Sequence, residues 1–231
     1  MSPSLLTVAG LSLLLGFRHA FEPDHLAAVS TLATRQGRIL EASWLGIVWG
    51  LGHTASVGAV SLLVIGAGLS LPPRLWPAAD FLVGVLLVVL GGAVLWRYAR
   101  GRWHMHRHIH DGAPHLHLHS HAQEAGHTHL HPRWDLRRSL GFGLLHGLAG
   151  SGAIVVLLVA TVPTRAGQLA YLGAFGAGTV IGMLTVSLTL AGLVRLASRR
   201  GARWATVLHL ASAAVSVLVG AALAWNMAGE M

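Results

Sequence analysis

Two histidines and an aspartate, His19, Asp24 and His25, stand in the stretch GFRHAFEPDH at positions 16–25, inside an otherwise apolar run. Two imidazoles and a carboxylate make a donor set suited to a borderline divalent cation. An ionisable group at membrane depth costs about 3 kcal/mol or more, so such groups face a cavity or pathway rather than lipid. On an unbroken helix, side chains five and six positions on would point about 140° and 240° away from His19, and the three would diverge. Pro23 changes that geometry. It has no N–H for the carbonyl of His19 four residues earlier, and its ring clashes there. A kink or unwound turn beginning at His19 is therefore expected, bringing His19 back toward Asp24 and His25 and opening polar backbone that must line a cavity. Arg18 and Glu22, four apart, are expected to pair with each other. The alternative for the motif is a helix end near Arg18, at which these charges neutralise one another; the apolar residues Leu26 to Ala33 that follow argue against it.

Two further histidines lie within apolar runs. His53 sits in Gly50-Leu51-Gly52-His53-Thr54-Ala55-Ser56-Val57, and His146 in Leu145-His146-Gly147-Leu148-Ala149-Gly150-Ser151-Gly152. Flanking glycines permit close helix approach. Each is a candidate ligand, the alternative being a buried histidine bonded to a neighbouring helix. His209, alone in the last apolar run, reads as structural.

The elements that would position these residues are membrane spans. Hydrophobic residues make up 54% of the 231, charged residues only 10%, and the mean hydropathy is +0.63. That balance belongs to membrane proteins. Cysteine is absent, which excludes disulfides and thiolate chemistry, and there is no lysine, so all the non-histidine basic charge is arginine. The start of the chain lacks a positively charged leader region, so a cleaved signal peptide is not expected. Apolar runs at about 5–33, 42–69, 78–96, 139–162, 169–194 and 205–227 predict six transmembrane helices, the first interrupted by the motif. The connections after spans one, three and five carry Arg35 and Arg38, then seven arginines from Arg97 to Arg138, then four from Arg195 to Arg203; the other side has only Arg74 and Arg165. The positive-inside rule places both termini outside and the arginine-rich connections in the cytoplasm. The net charge of +8 is thus a topology signal, with no nucleic-acid partner implied.

Adding 127 to the numbering superposes Ser12, Leu13, Gly16 and His19 on Ser139, Leu140, Gly143 and His146, and Leu45-Gly46 on Leu172-Gly173. Two halves of three spans each would have opposite topology, the inverted-repeat plan of many secondary transporters. The fold class expected is an all-α polytopic membrane protein: residues 1–96 a first three-helix repeat, 97–138 a cytoplasmic histidine-rich loop, and 139–231 a second three-helix repeat. The loop holds eleven histidines, many at alternate positions such as His104, His106, His108 and His110. In an extended segment, alternation puts imidazoles on one side, where two or three chelate one transition-metal ion.

The setting RHAFEPDHLAAVSTLATR, with His19 four residues ahead of the Asp24-His25 pair, resembles the His-x4-Asp-His signature of the nickel/cobalt transporter family. The stretch around His53 is similar to that family's second signature, and the stretch around His146 resembles the short, urease-associated nickel permeases. The resemblance implies a secondary transporter of Ni2+ or Co2+ in the cell (inner) membrane, with His19, Asp24 and His25 required for metal recognition. The ion is cargo, and no tightly bound cofactor is expected. Long family members have a further span before the signature; six spans, with none ahead of the motif-bearing one, are expected here. Uptake is the direction read from the short members. The alternative is export, with the histidine-rich loop capturing metal first. No nucleotide-binding motif is present, so no ATP-driven engine is expected. A rhomboid-like intramembrane serine protease using Ser151 and His209 is a minor alternative, weakened by Ala149 at the first position of the expected Gly-x-Ser-Gly. A homo-oligomer is compatible with all of these readings.

Overall fold

The structure is a computed structural model and describes residues 4–33, 39–67, 72, 74–100, 104–110, 113–119, 132–149 and 151–231. The chain order is α1 (Leu5–His19), α2 (Pro23–Ala33), α3 (Ile39–Ala67), α4 (Leu75–Ala99), β1 (His104–His110), β2 (Ala113–His119), α5 (Pro132–Gly147), α6 (Ser151–Ala160), α7 (Arg165–Arg200) and α8 (Ala202–Ala228). Helices α3, α4, α7 and α8 are each long and apolar enough to cross a membrane. The bent pair α1 and α2 makes a fifth span if counted as one, with a 57° angle at the break. The run expected as the fourth span is divided between α5 and α6, neither of which meets the length and apolarity of a span by itself. Side chains such as Leu6, Leu218 and Trp225 are largely exposed on the outside of the bundle. An apolar exterior around a histidine-bearing interior is the arrangement of an integral membrane protein.

Pro23 opens α2, as its fixed φ and missing N–H favour at a first helical position. The carbonyl of His19 is not left open as the missing N–H alone would predict. It accepts from the N–H of Glu22 at 3.0 Å, a tighter three-residue closure, and the helix resumes with Leu26 N–H to Glu22 O at 2.9 Å. The break between α5 and α6 closes in the same way: the N–H of Ala149 donates to the carbonyl of His146 at 3.1 Å.

α1 packs along α7, α5 along α3, α3 along α7 and α4 along α8. Glycines set the closeness of these contacts. A Cβ on Gly16 would collide with the carbonyl of Phe175, and one on Gly143 with the carbonyl of Trp49. A Cβ on Gly178 would strike the Leu13 carbonyl and Phe17 N, and one on Gly52 would strike the Leu140 carbonyl and Leu144 N. A Cβ on Gly50 would meet Val180, and one on Gly176 would meet Thr54. These pairs coincide when 127 is added to α1 positions and 126, not 127, to α3 positions. Gly46 illustrates the difference: it is pressed against Met183 and Ser187, whereas Gly173 faces open space.

In the histidine-rich segment, expected as a loop, the described residues form an antiparallel two-stranded hairpin. Its register sets His104 opposite His119, His106 opposite His117 and His108 opposite His115. His121, His127, His129 and His131 lie outside the described residues.

Candidate metal centre

The two breaks and the middle of α3 converge. His19 closes α1, Asp24 and His25 open α2, His53 is midway along α3, and His146 lies at the end of α5. All four histidines are at most 5% exposed, and His25 and His53 are fully buried. The Nε2 atoms of His19 and His53 are 3.0 Å apart. The ring of His25 lies 4.5 Å from that of His19, 5.1 Å from that of His53 and 4.2 Å from that of His146. Two overlapping groups bring one donor atom per residue within 4.8 Å of one another: His19, His25 and His53, and Asp24, His25 and His146. The structure thus brings together the five side chains singled out in the sequence.

The carboxylates determine which ring nitrogens carry protons. An ionised carboxylate only accepts. Asp24 Oδ1 accepts from the backbone N–H of His25 at 2.9 Å and from its Nδ1–H at 3.1 Å, and Asp24 Oδ2 accepts from His146 Nε2–H at 3.0 Å. The neutral rings then carry lone pairs on His25 Nε2 and His146 Nδ1, and neither atom has a hydrogen-bond partner. Glu22 is not paired with Arg18 as expected. Its Oε2 lies 3.1 Å from His19 Nδ1, three residues away, because the tight closure at the break turns the carboxylate onto that ring. With its Nδ1 donating to Glu22, His19 presents its lone pair on Nε2, toward His53. His53 Nδ1 is likewise buried without a hydrogen-bond partner. Orphaned buried polar atoms of this kind cost about 1–3 kcal/mol each. Three of them lie in this one cluster.

The cluster is sealed by aromatic rings. Phe175 lies 5.6 Å from the His19 ring, and Trp49 lies 5.8 Å from the His146 ring. The sequence singled out neither; both are apolar residues in apolar helices, with only their ring size to mark them. His209 is buried in α8, outside both donor groups.

The family-model comparison returned no match, and no solved structure matched. Among curated proteins, the urease accessory protein UreH of Bacillus sp. (strain TB-90) is 33% identical over 205 residues, covering 86% of this chain and 82% of the relative. The chain is accordingly no enzyme but an integral membrane protein, and it belongs to the UreH family of urease accessory proteins.

Proposed function

We propose that this protein is a secondary transporter carrying Ni2+ or Co2+ across the membrane, into the cytoplasm, through the cluster of His19, Asp24, His25, His53 and His146. The observation that carries the reading is the set of buried imidazole nitrogens, inside apolar helices, whose lone pairs have no protein partner. His19, His25 and His53 are the nitrogen donors of the primary site. Asp24 orients His25 and His146, in the manner of the carboxylate–histidine–metal relays that fix tautomer and raise ligand basicity.

Each of the broken pairs α1–α2 and α5–α6 serves as one span, giving six, with both termini outside and the arginine-rich connections in the cytoplasm. Two inverted halves are supported by the paired breaks at His19 and His146 and by the paired glycine contacts. The urease accessory name of the relative fits inward delivery of nickel. The eleven histidines of the segment favour a second reading, export with the segment as a cytoplasmic collector.

Movement of radiolabelled Ni2+ in metal-depleted cells tests the proposal and the direction together. Cells expressing the parent are expected to accumulate more label than empty cells, and His19→Ala, Asp24→Ala and His25→Ala to fall to the empty-cell level. Accumulation below that of empty cells means export. Normal accumulation by the three variants refutes the site.

A further inference from the structure

The contacts that repeat between the two halves also relate two residues that no motif marks. Phe175 follows Trp49 by 126 positions, the offset that superposes the α3 contacts on those of α7. Trp49 packs its carbonyl on Gly143 of α5, and Phe175 packs its carbonyl on Gly16 of α1. Each ring covers the histidine at the other half's break: Trp49 covers His146, and Phe175 covers His19. Both residues are buried, at 2% and 4% exposure.

They lie on opposite sides of the cluster. α3 and α7 run antiparallel, since Gly50 meets Val180 and Thr54 meets Gly176, so the helices cross at the level of Gly52 and Gly178. Trp49 is three residues from that level toward the start of α3, and Phe175 three residues toward the start of α7, about 4.5 Å to either side. Beyond each ring stands an orphaned hydroxyl at the same offset of 126. Ser187 Oγ, on the Trp49 side, and Ser61 Oγ, on the Phe175 side, are fully buried and have no hydrogen-bond partner. The Trp49 indole N–H has none either, and a small, partly open pocket of about 10 Å3 is lined by Trp49, Ser139 and Ser187 among others. Unpaired polar groups just outside a hydrophobic seal are what a path that fills with water in another state would leave behind when shut.

We propose that Trp49 and Phe175 are the two gates of the cation path, one for each side of the membrane, with Ser187 and Ser61 lining the vestibules they close. This rests on the transport reading above. The described structure is the occluded state, with both gates shut over the cluster. Swinging the Trp49 ring off His146 opens the cluster toward Ser187 and the arginine-rich side; swinging Phe175 off His19 opens it toward Ser61 and the opposite side. Because each gate contacts one break histidine, a cation held by both breaks draws the two halves together and keeps both gates closed.

The chain has no cysteine, so single thiols report directly on each vestibule. Ser187→Cys and Ser61→Cys are made singly in the full-length protein, reconstituted in liposomes and exposed to a membrane-impermeant maleimide from each side. Adding Trp49→Ala is expected to speed labelling at 187 by about tenfold or more while leaving 61 unchanged, and adding Phe175→Ala to do the reverse. Trp49→Leu and Phe175→Leu serve if the alanine variants do not assemble, with the same pattern expected. Saturating Ni2+ should slow labelling at both positions in the otherwise unaltered protein. Unchanged labelling, or equal acceleration at both positions by either gate variant, overturns the gate assignment. Calorimetric titration of the full-length parent and of His25→Ala with Ni2+ separates the two failures: a binding component lost in His25→Ala together with unchanged labelling sinks the gates alone, whereas identical titrations sink the transport reading and the gates with it.

Discussion

Asp24→Asn isolates what the carboxylate shared by His25 and His146 contributes. The substitution preserves shape and removes charge. Asp24 now accepts from two imidazole N–H groups, His25 at 3.1 Å and His146 at 3.0 Å. Hydrogen bonds to a charged partner contribute about 1.5–3 kcal/mol, against about 0.5–1.5 kcal/mol for neutral pairs, so each contact weakens by about 1 kcal/mol. An asparagine also has only one acceptor atom. Its amide N–H2 must face one of the two rings, donor against donor, unless that ring shifts its proton to the nitrogen that presents a lone pair to the cation. The summed effect on Ni2+ binding is about 2–3 kcal/mol, or about 30- to 150-fold in affinity. Competition with a chelator of known strength measures this on purified protein, with residues 103–132 deleted so that the histidine-rich segment does not contribute. Affinity within threefold of the parent would refute the claim that Asp24 sets the imidazole protons.

Three other outcomes are expected. Gly16→Ala and Gly143→Ala drive a methyl into the carbonyls of Phe175 and Trp49 and should each cost about 1–3 kcal/mol, seen as a lowered melting temperature in detergent; Gly10→Ala, with open space around it, should not. Metal binding should be lost in acid, because imidazole ligates only when unprotonated, and Co2+ binding that persists unchanged to the lowest pH at which the protein stays folded would contradict histidine ligation. Deleting residues 103–132 should change the concentration dependence of Ni2+ movement in cells without abolishing it; complete loss would move the essential site into the hairpin.

The polar motif in the first span was legible because a charge cluster and a proline violate the composition around them, and Pro23 has one mechanical consequence. That reasoning reached the position of the break but not its closure, since whether the His19 carbonyl finds Glu22 N–H depends on how tightly the turn winds. The same closure brought Glu22 onto His19, where helical spacing alone would have paired it with Arg18. The second break carries no proline. Gly147 and Gly150 around it permit a break without demanding one, so an unbroken fourth span was the simpler reading. The Leu45-Gly46 match to Leu172-Gly173 does not extend to their surroundings, since Gly46 is pressed against Met183 and Ser187 and Gly173 faces open space. Trp49 and Phe175 differ in type, and the one-residue change in offset hides their correspondence from a gapless alignment. His53 and His146 stood out as imidazoles in apolar runs, yet their convergence needed α3 and α5 packed at glycine distance.

X-ray absorption of the Co2+-loaded protein lacking residues 103–132 tests the central claim most directly. The account predicts a first shell containing about three imidazole nitrogens near 2.1 Å, with imidazole scattering lost in His25→Ala and reduced in His19→Ala and His53→Ala. A shell of oxygens only, or an imidazole signal unaffected by those three changes, would contradict it.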